Sequence, residues 1–80
     1  MAEINIKQLL IDIIKALVDD PDSITVLQTD DGDNIYLELN VAPDDMGKII
    51  GRHGRIAKAI RMVIKAAANS IGKKVTLEIK

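Results

Sequence analysis

The sequence predicts an α+β domain, a three-stranded sheet covered on one face by helices, and three observations carry that prediction. Residues 6–18 and 56–71 repeat apolar side chains every three or four positions; residues 34–41 and 75–79 alternate apolar with polar; turn-forming residues separate these stretches. Each helix then has one apolar stripe and each strand one apolar face, and laying helices on a sheet is the economical way to bury them all. Eighty residues supply one domain, taken over 1–80, with one thin core layer.

The first helix carries Ile6, Leu9, Leu10, Ile13, Ile14, Leu17 and Val18, with Asn5 placed to cap it and Gln8 three residues later. Its end is expected at Asp19 to Asp20, because Pro21 cannot continue a helix and disfavours helical backbone at the residue before it. Strands are expected over 23–29 and 34–41, the second with Ile35, Leu37, Leu39 and Val41 inward and Tyr36, Glu38 and Asn40 outward. Asp30-Asp31-Gly32-Asp33 lies between them, and an Asp-Gly pair flanked by strand patterns marks a hairpin. A carboxylate metal site there is disfavoured, since the spacing does not match a calcium loop and no distal Glu follows.

Pro43 suits the first position of a short helix through Ile50, with Asp44 and Asp45 in its opening turn. A second long helix runs from Arg55 to about Ile71 and is closed by Gly72. At about 100° per residue, with Arg55 at the origin, Ile56, Ile60, Val63, Ile64, Ala67 and Ile71 form its core face, and Arg55, Lys58, Arg61 and Lys65 a nearly opposite basic face. Ala59, Met62 and Ala66 border that basic face, either as plain helix formers or as a seam for a partner helix. Val75, Leu77 and Ile79 alternate with polar residues as a third strand. The order is helix, strand, strand, helix, glycine loop, helix, strand.

Composition narrows the function. With no Phe, no Trp and Tyr36 as the one aromatic residue, the core must be aliphatic. No Cys means no disulfide and no thiolate metal site, which fits a reducing compartment. No export signal or run long enough to span a membrane is present, so a cytoplasmic protein is expected. One His, no serine nucleophile motif and no glycine-rich loop ending in Lys-Ser or Lys-Thr argue against an enzyme; no cofactor or metal is expected.

Charge is divided unevenly. Residues 1–45 hold eleven carboxylates against Lys7 and Lys15, a net of −9, and residues 46–80 hold nine bases against Glu78, a net of +8. The overall −1 therefore hides a dipole, which either marks a polyanion-binding surface or is cancelled across the fold. Within the basic half, Gly51 and Gly54 bracket Arg52 and His53. Glycines there let a sugar-phosphate chain approach closely, and the helix that follows aims its unpaired N–H groups and partial positive charge at the same spot. A G-x-x-G alone is weak; its place between two helices in a basic half strengthens it.

Ile49-Ile50-Gly51-Arg52-His53-Gly54-Arg55, between a short helix and a long amphipathic one, resembles the signature of a KH domain. A helix and two strands before the loop and one strand after it resemble the bacterial, type II arrangement, α-β-β-α-α-β, and the resemblance covers essentially the whole chain. Residues 41–50 and 54–61 look like those of the small stand-alone bacterial KH proteins of the KhpA kind. Ala57 departs from the broader KH pattern, where an isoleucine often stands.

The resemblance implies non-catalytic binding of about four nucleotides of single-stranded RNA, in a groove between the loop with its flanking helices and a strand. The residues it places there are Lys48, Ile49, Ile50, Gly51, Arg52, His53, Gly54, Arg55, Ile56 and Lys58. Arg52 would pair with phosphate, with Arg55 and Lys58 extending the basic track. Ile49, Ile50 and Ile56 would form an apolar floor under the bases, and the second strand would offer backbone groups to base edges. His53 is either a phosphate donor or a solvated loop residue. Without aromatic side chains in the basic half, stacking is missing and binding should be weak and sequence-tolerant. The resemblance also implies RNA-chaperone activity, self-association or pairing with a larger KH-containing protein, and a role in cell shape, envelope synthesis and peptidoglycan homeostasis. The alternative is a protein-interaction module that keeps the fold but has little RNA affinity.

Overall fold

The computed structural model describes residues 5–80; residues 1–4 of the predicted domain lie outside the described residues. The elements are α1 (Ile6–Lys15), β1 (Thr25–Asp31), β2 (Asn34–Asn40), α2 (Met46–Ile50), α3 (Arg55–Ser70) and β3 (Lys74–Ile79), with 3-10 turns over Pro21–Ser23, Pro43–Asp45 and Arg52–Gly54. The sheet runs β1-β2-β3, with β1 antiparallel and β3 parallel to β2. The central strand is thus β2, and Ile35, Leu37 and Leu39 on one of its faces are buried under the helices as the alternation predicts. Leu10, Ile14, Leu39, Ile49 and Ile64 are the largest side chains fully sealed from solvent.

α1 begins as predicted, with Asn5 Oδ1 accepting from the Gln8 N–H at 3.0 Å. The Gln8 side chain donates to Asp12 instead of closing a capping box. The helix stops at Lys15, four residues earlier than the proline rule places its end. Ala16 and Leu17 tighten into three-residue bonds to Ile13 and Ile14, and the chain then swings out so that the N–H groups of Asp19 and Asp20 reach the two oxygens of Asp45, at 3.1 and 3.0 Å. That tie joins residues 25 and 26 positions apart and leaves no local mark.

The first strand is shifted two residues from its expected span, and the hairpin turn is Gly32-Asp33, since Asp31 pairs with Asn34. Positive φ occurs at Gly32 (61°) and not at Asp33, which suits a type II′ turn. The Asp-Gly pair located the turn one residue early. α3 ends as predicted: Gly72 takes a left-handed conformation, Lys73 N–H donates to Ala68 O at 2.9 Å and Gly72 N–H to Asn69 O at 3.1 Å, a Schellman ending.

The buried face of α3 is rotated from the predicted one. Ala57, Ile60, Ile64 and Ala68 are buried, whereas Ile56, Val63 and Ile71 are exposed. Hydrophobicity weighs isoleucine and valine above alanine, but the stripe that α3 turns to the core runs through Ala57, Ile60, Ile64 and Ala68.

Candidate nucleic-acid interface

The loop between α2 and α3 is built by backbone conformations that few residues adopt. α2 ends with Gly51 N–H donating to Gly47 O at 2.9 Å, and Gly51 itself sits at φ 73°, ψ 178°. That region is essentially reserved for glycine. A Cβ placed there would lie 2.5 Å from Ile56 Cγ1, so the first turn of α3 packs directly on Gly51. His53 (φ 58°, ψ 24°) and Gly54 (φ 74°, ψ 14°) follow as two left-handed residues. His53 is the one non-glycine residue at positive φ among the described residues, and His is among the residue types that tolerate it. Space around Gly54 is open, so its requirement is conformational alone.

This path turns Arg52 and His53 outward, both exposed, and starts α3 with no side chain capping its first turn and no acidic residue there. Arg55 and Lys58 are exposed on that same helix. Among the described residues, neither Arg52, Arg55, Lys58 nor Lys65 has a carboxylate within ion-pair distance; the ion pairs that cross between the acidic and basic halves use Lys48, Lys73 and Lys80. Three lysines of the basic half are thus paired around the sheet and α2, while the bases at the loop are not.

Ile49 is corrected. It is 0% exposed and belongs to the core, while Ile50 and Ile56 are 36% and 37% exposed beside the loop. On a helix, neighbours in sequence point about 100° apart, so only one of the two adjacent isoleucines could face the groove. The strand is corrected as well: β2 is paired on both edges, leaving it no backbone groups to offer, and the open edge next to α3 belongs to β3. Lys48 is committed elsewhere, its Nζ binding Asp19 and lying 3.5 Å from Asp45.

Asp45 is the residue that the sequence did not single out as part of the site's support. It is 2% exposed, and its carboxylate holds the α1–β1 connection against the start of α2, which delivers the loop. The backbone N–H of Asp19 foremost, with that of Asp20 and the Lys48 ammonium, outweighs burial and lowers its pKa below the ordinary 3.8. Hydrogen bonding to Asp19 raises that of Lys48 above 10.5. A carboxylate lowered on folding stabilises the protein fully above its unfolded pKa, and that contribution is lost as pH falls through the folded one. Asp45→Asn is therefore expected to be less stable at neutral pH and to show a shallower loss of stability below pH 3.8, measured as urea midpoints across an acid series.

A helix–loop–helix carrying this glycine turn between β2 and β3, with a further helix and strand before it, defines a type II KH domain. The KhpA/KhpB KH domain matches residues 7–79. Among curated proteins, the RNA-binding protein KhpA of Clostridium acetobutylicum is 59% identical over 91% of this chain and 97% of its own length. Those of Halalkalibacterium halodurans and Clostridium perfringens are 51% and 53% identical, again over 91% of this chain and 96% and 97% of theirs. The chain belongs to the KhpA/KhpB family of KH domains.

Proposed function

We propose that this protein binds single-stranded RNA without chemistry, gripping the sugar-phosphate backbone at Gly51-Arg52-His53-Gly54. The observation that carries this is the cluster of Arg52, Arg55 and Lys58, none of them paired with a carboxylate, around a loop in which Gly54 leaves open space at the backbone. The name RNA-binding protein KhpA borne by its relatives supports it. Ile50 gives bases an apolar surface, whereas Ile56, expected in the groove floor, belongs to the hollow between α1 and α3; Tyr36 lies on the sheet face away from the helices, so no tyrosine ring stacks in the groove. Binding is weak and mainly electrostatic. With two or three phosphates contacted, log K falls against log salt with a slope of about −1.4 to −2.1. Arg52→Asp/His53→Asp is expected to weaken binding of a labelled single-stranded RNA by tenfold or more while leaving the circular dichroism spectrum intact; a flat salt response or an unaffected variant would sink this function.

A protein-binding face accompanies the RNA groove. Leu9, Ile13, Ile56, Ala59, Ile60 and Val63, with Arg55 beside them, line a largely apolar hollow of about 550 Å³ between α1 and α3, with Met62 and Val63 exposed at 65% and 49%. That hollow supports pairing with a second copy or with a larger KH-containing protein, so that two weak grooves act together and gain avidity. Val63→Asp is expected to convert the species of twice the 8.7 kDa chain mass to the chain mass in light scattering. RNA-chaperone action in the cytoplasm, bearing on cell shape, envelope synthesis and peptidoglycan homeostasis, is the cellular role this reading fits.

A further inference from the structure

Ile56 stands between the glycine loop and the hollow and touches both. Its side chain leans towards the start of α3, as helical side chains do, and rests on Gly51. A Cβ at Gly51 would lie 2.5 Å from Ile56 Cγ1 and 2.8 Å from Ile56 Cδ1. Gly51, at φ 73° and ψ 178°, is the residue that sends the chain out of α2 into the loop, so the loop's entry leans on one isoleucine. The other side of Ile56 faces the hollow between α1 and α3, where the residue is 37% exposed. Arg55, the first residue of α3 and part of the basic track, lines the same hollow. In the single chain, then, Ile56 is packed on its loop side and open to solvent on its hollow side.

The hollow suits a second copy of this chain. Met62, 65% exposed, lies one turn along α3 from Ala59 in the hollow, so one face carries both an apolar knob and an apolar recess. Opposite charges flank it, Arg55 on α3 and Asp12 beside Ile13 on α1, both exposed. A two-fold axis sets each feature of one copy against its complement in the other. A side chain seated there leaves Ile56, whose χ1 is already stiff, with fewer conformations. The movements of Gly51 that RNA binding has to suppress are then already restricted, and a second ligand binds more tightly to a protein that the first has ordered. We infer that Ile56 is a positioning residue that couples the two sites of the proposed function, and the inference rests on that reading: a second copy in the hollow holds Ile56, and through it the backbone at Gly51, in the form that grips RNA. Pairing and RNA binding therefore strengthen one another.

The tetranucleotide rU4 isolates this effect, because it occupies a single groove and gains nothing from two grooves acting on one strand. Dimerisation constants are measured by analytical ultracentrifugation with and without saturating rU4, for wild type, Ile56→Ala, Ile56→Val and Arg52→Asp/His53→Asp, each with native circular dichroism. A gain of about threefold per groove on pairing becomes about ninefold in the dimerisation constant once both grooves are filled, since linkage is reciprocal. Wild type should show that shift, and the unpaired Val63→Asp variant should bind rU4 about threefold more weakly than paired wild type. Ile56→Ala, which lacks Cγ1 and Cδ1, should have the same constant with and without rU4, whatever its starting value. If Ile56→Ala does not pair, Ile56→Val, which lacks Cδ1 alone, must show a smaller shift than wild type. No shift or a weakened dimer in wild type, or an undiminished shift in the Ile56 variants, overturns the inference and leaves groove and pairing standing. Undiminished rU4 binding by the loop variant overturns the groove, a wild type of single-chain mass at every concentration overturns the pairing, and the inference falls with either.

Discussion

Gly51→Ala destabilises the domain by about 2–6 kcal/mol, read from urea denaturation. Two costs combine. The methyl group would sit 2.5 Å from Ile56 Cγ1 and 2.9 Å from Ile56 Cβ, inside any real contact, so the start of α3 must move, at about 1–3 kcal/mol for overpacking. The backbone at φ 73°, ψ 178° adds about 1–3 kcal/mol of strain for a residue with a Cβ. Gly54→Ala is the contrast: its Cβ would enter open space, leaving only the left-handed penalty of about 1–2 kcal/mol. The two glycines of one motif are thus unequal, the first needed for packing and path, the second for path alone. Gly51→Ala/Ile56→Ala should recover part of the loss, because truncating Ile56 removes Cγ1 and Cδ1; equal costs for the two glycines would contradict the contact with Ile56.

What local sequence could declare, it declared. Alternation along Ile35, Leu37 and Leu39 fixed the inner face of β2, Asn5 capped α1, and Gly72 closed α3, because each depends on residues within one or two turns. The loop was legible for the same reason: two glycines and two bases lie in four consecutive positions. The misses share a different cause. α1 ends early because Asp45 draws in the N–H groups of Asp19 and Asp20 from across the domain, a contact no window of neighbours contains. The central place of β2 depends on where β3 inserts, and with it which strand keeps a free edge. Burial of Ala57 and Ala68 in place of Val63 and Ile71 reflects how α3 is rotated against α1 and the sheet, which a count of apolar residues per turn does not encode. Function follows the same division: the loop proposed to grip phosphate is local and readable, whereas the free edge of β3 exists only once the sheet is assembled.

Ile49 and Ile50 put that division to a direct test, since they are chemically identical neighbours on a five-residue helix. Ile49→Ala removes a side chain that is 0% exposed and is expected to cost about 2–5 kcal/mol, from lost burial and the cavity left behind. For a small domain that is a large share of a total stability of roughly 4–12 kcal/mol. RNA affinity of the fraction that remains folded should be unchanged, because no atom of Ile49 reaches the groove. Ile50→Ala should reverse the pattern: about 1 kcal/mol or less in stability, given 36% exposure, and a several-fold loss of RNA affinity as the apolar surface beside Gly51 shrinks. Paired urea midpoints and RNA titrations on the two variants measure both quantities. An affinity loss in Ile49→Ala at full folding would restore it to the groove floor, and a large stability loss in Ile50→Ala would mean that α2 packs its other face into the core.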